Sequence, residues 1–66
     1  MNQRQASAIN IMRADRKRKL YKGETGRYYL MYTKGVVPLY WEDVKELLEQ
    51  GIIKKEIPTL ERYELL

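Results

Sequence analysis

The chain has 66 residues, no cysteine, no histidine, and 13 lysines and arginines against 9 aspartates and glutamates, which gives a formal net charge of +4. This length excludes a second full domain, because domains rarely have fewer than about 50 residues. The absence of cysteine and histidine excludes a disulfide-stabilised fold, the usual structural zinc sites and catalysis by thiol or imidazole.

A short amphipathic helix is the first predicted element. Residues 5–14 are rich in helix-forming side chains. Helical spacing places Ala8, Ile9 and Met12 on one face of this helix. Because the chain has few large apolar residues, packing of this face against the core is favoured over a role of the helix in binding a partner.

A basic segment follows the first helix. Residues 13–22 carry six positive side chains and one negative side chain. Such runs supply the sequence-independent contacts to phosphates in nucleic-acid binding. A solvated turn that keeps a small protein in solution is an equally good interpretation. The six positive residues are Arg13, Arg16, Lys17, Arg18, Lys19 and Lys22.

Two strand-like runs around a glycine-containing loop predict a β-hairpin. The runs are Leu20–Lys22 and Arg27–Thr33, and the loop between them is Gly23–Gly26. A second turn at residues 34–35 leads into a short third strand at residues 36–37. The middle of the chain therefore predicts a small antiparallel sheet.

Tyrosines on this hairpin predict an interaction surface. Alternation along the second run gives it two sides, one covered by helices and one with exposed aromatic rings. Rings beside cations suit both base stacking and protein interfaces, while structural tyrosines on half-exposed strands remain an alternative. On one side of this strand lie the side chains of Tyr28, Leu30 and Tyr32, and on the other side lie those of Tyr29, Met31 and Thr33. The predicted interface residues are Tyr28, Tyr29, Met31 and Tyr32, with Arg27 as a further nucleic-acid contact.

The second predicted helix has the clearest pattern in the chain. We expect Pro38 to end the third strand, after which apolar residues recur at helical spacing through Trp41–Gln50. Tyr40 is the predicted N-cap residue, and Gly51 stands where a left-handed residue would end the helix. Acidic pairs on this helix are expected to be solvated surface charges.

A second hairpin is predicted at the C-terminal end. Residues 52–57 form a strand, residues 58–60 a turn and residues 62–65 a returning strand. The predicted fold class is therefore α+β. We expect a small single domain over residues 1–66, with two helices, a β-hairpin between them and a wing-like C-terminal hairpin.

The C-terminal half resembles winged-helix proteins over roughly residues 39–65. The resemblance rests on a helix that runs into a hairpin, with Val44, Leu47, Leu48, Gly51, Ile52, Ile53, Tyr63 and Leu65 in the pattern. It implies that the helix at residues 41–50 enters the major groove of DNA. It also implies a second phosphate contact from the wing residues Lys54 and Lys55.

Neither catalysis nor membrane insertion is predicted. Ser7 is the only serine and lies inside a predicted helix, and no glycine-rich loop matches a phosphate-binding motif. We therefore expect a protein that is not an enzyme and has no cofactor and no bound metal. Uncharged apolar runs fall short of the roughly 20 residues of a membrane span, and no secretory signal is present, so the default expectation is a soluble cytoplasmic protein.

The sequence leaves three binding hypotheses open. The first is a nucleic-acid-binding protein, with DNA as the favoured partner, that uses the basic segment and the hairpin. The second is an interaction module or inhibitor, of the kind that phages and mobile elements encode. It docks on another protein, for example on an acidic surface, through the tyrosine-rich hairpin or through the acidic helix at residues 41–50. The third is a homodimer, in which a second copy covers apolar surface that the small core of one chain leaves exposed.

The charge is distributed unevenly along the chain. The net charge is +7 over residues 1–34 and −3 over residues 35–66.

Overall fold

Two helices and five strands make up the fold in the computed structural model, which describes residues 1–66. All five strands belong to one antiparallel sheet, so the predicted α+β class is confirmed. The elements in chain order are α1 (Gln3–Ala14), β1 (Leu20–Lys22), β2 (Tyr28–Tyr32), β3 (Gly35–Leu39), α2 (Trp41–Glu49), β4 (Ile53–Lys55) and β5 (Arg62–Leu65).

The sheet joins the two predicted hairpins through its central strand. Its order is β3-β2-β1-β5-β4, so β1 pairs with β2 on one side and with β5 on the other. Leu20 lies opposite both Leu30 and Tyr63, and Tyr21 lies opposite both Tyr29 and Arg62. The C-terminal hairpin is therefore part of the main sheet, although the order of a helix followed by a hairpin is as the sequence predicts.

Both helices pack on the same side of the sheet and form the core there. Alternation along the strands sends every second side chain toward the helices. Burial of these apolar side chains is the main term that stabilises a chain of this size. The buried core consists of Ala8, Ile9 and Met12 from α1, Val44 and Leu47 from α2, and Leu20, Tyr28, Leu30, Leu39, Ile53 and Tyr63 from the sheet.

Helix α1 begins two residues earlier than predicted because Asn2 caps it. The Asn2 side-chain oxygen accepts a hydrogen bond from the Gln5 backbone N–H at 2.8 Å, and the Asn2 N–H donates to Gln5 Oε1 at 2.8 Å. This reciprocal pair satisfies two backbone donors that the first turn would leave free. The predicted apolar face is confirmed, and a buried glutamine extends it: the buried residues are Gln5, Ala8, Ile9 and Met12.

Helix α2 closely follows its prediction. It covers Trp41–Glu49 with Tyr40 at the N-cap, and the Tyr40 N–H donates to Asp43 Oδ2 at 3.0 Å. Gly51 follows the helix with φ +71°, the left-handed conformation expected after a helix C-terminus. These signals were readable because capping and the helical period are local properties of the sequence.

The third and fourth strands differ most from their predicted bounds. Pro38 does not end the third strand, which continues to Leu39 with Pro38 opposite Tyr29. Strand β3 lies at the edge of the sheet, where one row of backbone groups has no strand to pair with, so an absent N–H is tolerated. Strand β4 is shorter than the predicted run and ends at Lys55.

Candidate functional site on the open face of the sheet

The side of the sheet away from the helices, here called the open face, has no element packed on it. Met31 and Val36 lie opposite each other on this face and are 54% and 55% exposed. Strand alternation puts Tyr21, Tyr29 and Arg62 on the same side. The open face therefore combines aromatic, apolar and charged side chains on adjacent strands, as predicted for the second side of the hairpin.

Two tyrosines form the centre of the open face. The rings of Tyr21 and Tyr29 are stacked across β1 and β2, with their centroids 5.9 Å apart and an angle of 29° between their planes. The Tyr29 ring also leans over Gly23, since a Cβ atom added there would lie 3.3 Å from Tyr29 Cε1. Neighbouring strands thus hold the pair in place while both side chains stay partly exposed.

The middle of the basic segment, residues 17–19, borders this tyrosine pair. A groove of about 350 Å³ lies between them. Aromatic and apolar side chains form its floor, and cationic side chains form its wall. The hairpin tyrosines and the basic segment, which are separate features of the sequence, are therefore adjacent in the structure. The lining residues are Lys17, Arg18, Lys19, Tyr21, Tyr29 and Met31.

The three cations of the groove are held differently. Arg18 lies 3.4 Å from an Asp15 carboxylate oxygen, and it also donates to the Met31 carbonyl oxygen at 3.4 Å. Lys19 forms an ion pair with Glu64 at 2.9 Å, and this contact lowers the pKa of Glu64. Lys17 is exposed and forms no ion pair. Its charge is therefore the one in the groove that no carboxylate balances.

The remaining positive residues of the basic segment lie away from the groove. Arg13 is exposed in the last turn of α1. Arg16 donates to the backbone oxygens of Leu65 and Leu66 at 3.4 and 2.9 Å, so it joins the end of α1 to the last strand. Lys22 lines a different groove on the helix side of the sheet. The predicted basic cluster is thus divided among several surfaces.

The other predicted phosphate contacts are also dispersed. The Arg27 guanidinium lies 5.6 Å from the centre of the Tyr40 ring, at one end of the sheet. Lys54 lies 3.9 Å from Glu64, and Lys55 lies 3.5 Å from Glu61. Neighbouring carboxylates therefore partly offset both predicted wing lysines, although both stay exposed.

Two of the predicted interface tyrosines are not on the open face. Tyr28 is only 4% exposed and belongs to the core, so its prediction as an interface residue is wrong. Its hydroxyl donates to Glu61 Oε2 at 3.2 Å, and the Tyr63 hydroxyl donates to the same oxygen at 2.7 Å. These bonds satisfy two hydroxyls that would otherwise favour solvent. Tyr32 is half-buried and follows the helix-facing alternation of β2.

Burial and Glu61 shift the pKa values of this second cluster. Burial, with the Glu61 carboxylate, raises the pKa of Tyr63 and of Tyr28. Hydrogen bonding from Tyr63 lowers the pKa of Glu61. Both tyrosines are therefore neutral donors and Glu61 is an ionised acceptor at neutral pH. This cluster accounts for structure at the edge of the core and offers no nucleophile.

Asp43 is the largest departure from the predicted solvated carboxylates of α2. It is 4% exposed, and Arg4 Nε donates to Asp43 Oδ2 at 2.9 Å. Asn2 Nδ2 donates to Asp43 Oδ1 at 2.6 Å. The side chain therefore joins the two helices instead of facing solvent.

No group of three or more acidic side chains is arranged to hold a metal ion.

Tyr21 was not among the predicted interface residues, yet it forms half of the ring pair. Its position could have been found from the hairpin register, because counting back from the glycine loop puts residue 21 opposite residue 29. The contact between residues 17–19 and β2 has no comparable sequence signal, since it depends on the path of a turn.

Neither helix is long and apolar enough to cross a membrane.

No protein-family model, curated protein or solved structure matches this chain. The winged-helix relationship therefore stays a prediction, and the candidate site is defined by its geometry alone.

Proposed function

We propose that this protein is a non-enzymatic nucleic-acid-binding protein that uses the open face of the sheet. The observation that carries the proposal is the groove in which the Tyr21–Tyr29 pair lies beside Lys17, Arg18 and Lys19. Cations beside exposed aromatic rings provide both of the contacts that nucleic acids accept: charge on the phosphates and stacking on the bases.

The distribution of charge supports this choice of face. Residues 41–50 contain four acidic side chains and one lysine, a net charge of −3, and α2 lies on the opposite side of the sheet. Phosphates repel such a helix, so groove reading by α2 is disfavoured despite the winged-helix resemblance. The N-terminal half carries the positive charge and also supplies all six residues that line the groove.

The test compares two charge reversals of equal size. Lys17→Glu changes the unpaired cation of the groove, and Lys45→Glu changes an exposed lysine of α2 that forms no ion pair. We expect Lys17→Glu to weaken binding of labelled oligonucleotides in fluorescence anisotropy severalfold, and Lys45→Glu to leave it nearly unchanged. Circular dichroism of both variants checks that they are folded.

Salt dependence provides a second measurement on the same samples. The logarithm of the binding constant should fall linearly with the logarithm of salt concentration, by about 0.7 per phosphate contact on a single strand and about 0.9 on a duplex. Lys17→Glu should also give a shallower slope than the unaltered chain. Undetectable binding of both single strands and duplexes at low salt would contradict the proposal.

A protein partner is the second candidate, and the exposed apolar pair on the open face favours it. Met31 and Val36 lie side by side and are both more than half exposed. Exposed apolar side chains at the centre of a polar surface are common in protein interfaces. If no nucleic acid binds, this pair becomes the surface to substitute in tests against an acidic protein.

A further inference from the structure

We propose that the nucleic acid bound on the open face is single-stranded. This inference rests on the proposed function and concerns which form of nucleic acid the groove accepts. It follows from the way in which the aromatic rings are presented and from the shape of the surface around them.

The tyrosine rings can stack only on bases whose faces are free. Tyr21 and Tyr29 lie on β1 and β2, the central strand and its neighbour, and form the floor of a shallow groove. In a duplex each base is covered above and below by its neighbours, so only base edges and the backbone reach a surface of this kind. An unpaired strand can turn its bases onto such rings.

The surroundings of the groove also disfavour a duplex. Reading the major groove, which is about 12 Å wide, requires a helix or ribbon that protrudes into it. Strands form the open face, and both helices lie behind the sheet. A surface without a protruding element can touch the phosphates of a duplex but gains nothing from its two partly exposed rings.

The cations lie on one side of the rings, where one backbone would pass. Lys17, Arg18 and Lys19 are consecutive residues that border the ring pair. With bases on Tyr21 and Tyr29, the phosphates of the same strand would run along this cationic wall. On the strands beside the rings, Pro38 lies opposite Tyr29, and Arg62, which forms an ion pair with Glu56, lies opposite Tyr21. The second strand of a duplex would therefore find no row of free cations there.

The experiment compares forms of nucleic acid and then removes the rings. Binding of a short oligothymidine strand and of a mixed-sequence duplex of equal length is measured by fluorescence anisotropy at low salt. We expect the single strand to bind about tenfold more tightly or better. Tyr21→Ala and Tyr29→Ala should each weaken single-strand binding about fivefold or more, because base stacking on an aromatic ring is lost.

Two matched controls separate stacking from folding. Tyr32→Ala removes a half-buried tyrosine on the other side of β2 and should leave the affinity unchanged. Tyr29→Phe keeps the ring and should retain most of the affinity. Thermal unfolding followed by circular dichroism shows which variants are folded at the assay temperature.

The outcomes distinguish this inference from the proposed function. Duplex binding as tight as single-strand binding overturns the inference and leaves nucleic-acid binding in place. An equal loss in Tyr32→Ala and Tyr29→Ala overturns the role of the ring pair. Failure to bind either form overturns both proposals.

Discussion

At the scale of single residues, Asp43 joins the N-terminal ends of the two helices. Its carboxylate accepts hydrogen bonds from Arg4, Asn2 and the Tyr40 backbone N–H. The Arg4 bonds lower the pKa of Asp43 to about 2, against the opposing effect of burial, and the other two donors act in the same direction. In a chain with a small core, one satisfied buried carboxylate is a significant part of the stability.

The lowered pKa of Asp43 predicts that the free energy of unfolding depends on pH. Because the folded pKa lies below the ordinary value of about 3.9, the contribution of Asp43 is complete above about pH 5 and is lost as the pH falls toward 2. Asp43→Asn should cost about 1–3 kcal/mol at neutral pH, since Arg4, Asn2 and the Tyr40 N–H lose a charged acceptor. The stability of the Asp43→Asn variant should also fall less steeply on acidification than that of the unaltered chain.

Urea unfolding at neutral pH and near pH 3 measures both effects. Glu42→Gln is the matched control, because Glu42 lies in the same turn of α2 and is exposed. The control should follow the unaltered chain at both pH values. The assignment fails if Asp43→Asn loses as much stability on acidification as the unaltered chain does.

The sequence could not reveal Asp43 as a buried residue. Its pattern is that of an exposed acidic residue in the first turn of a helix, and its partners Asn2 and Arg4 lie about 40 positions earlier in the chain. Capping and apolar periodicity act over a few residues and can be read directly. A polar network between distant segments depends on how the helices pack, which no local pattern contains.

At the scale of elements, the end of α2 depends on one glycine. Gly51 has φ +71°, a conformation that side chains other than glycine rarely adopt. The backbone N–H groups of Gly51 and Ile52 donate to the carbonyls of Leu48 and Leu47 at 3.1 and 3.0 Å, and they close the helix before β4 begins. The sequence predicted this position, because the glycine stands three residues after Leu48, the last apolar residue of the helix.

We predict that Gly51→Ala destabilises the fold by about 1 kcal/mol. The left-handed conformation is the cause, since an added Cβ would meet only Leu66 Cδ1 at an ordinary 3.9 Å. Gln50→Ala is the control, because Gln50 has φ −82° and is exposed. Chemical denaturation compares the two variants, and equal stability would show that the backbone relaxes without cost.

At the scale of the whole molecule, β1 connects the two halves of the chain. It has three residues, yet it pairs with β2 from the N-terminal half and with β5 from the C-terminal half. Leu20 at its start is fully buried. The sequence indicated both hairpins but not this join, since pairing between strands about 40 residues apart leaves no local signature.

This arrangement predicts that the two halves unfold together. Trp41 packs against Tyr28, with ring centroids 5.8 Å apart, so its fluorescence reports the contact between α2 and β2, while far-ultraviolet circular dichroism reports all elements. Both signals should give the same denaturation midpoint. Leu20→Ala should remove about 2–5 kcal/mol and lower both midpoints equally. Separate midpoints would mean that the halves fold independently.

The two-residue alternation of the strands has a consequence for how this protein can change. Side chains that point toward the helices maintain the fold, whereas Tyr21, Tyr29, Met31 and Val36 point away and contribute little to the core. Substitutions at these four positions should therefore change the stability less than substitutions in the core do. The open face can therefore change over generations while selection for stability acts on the other side of the sheet.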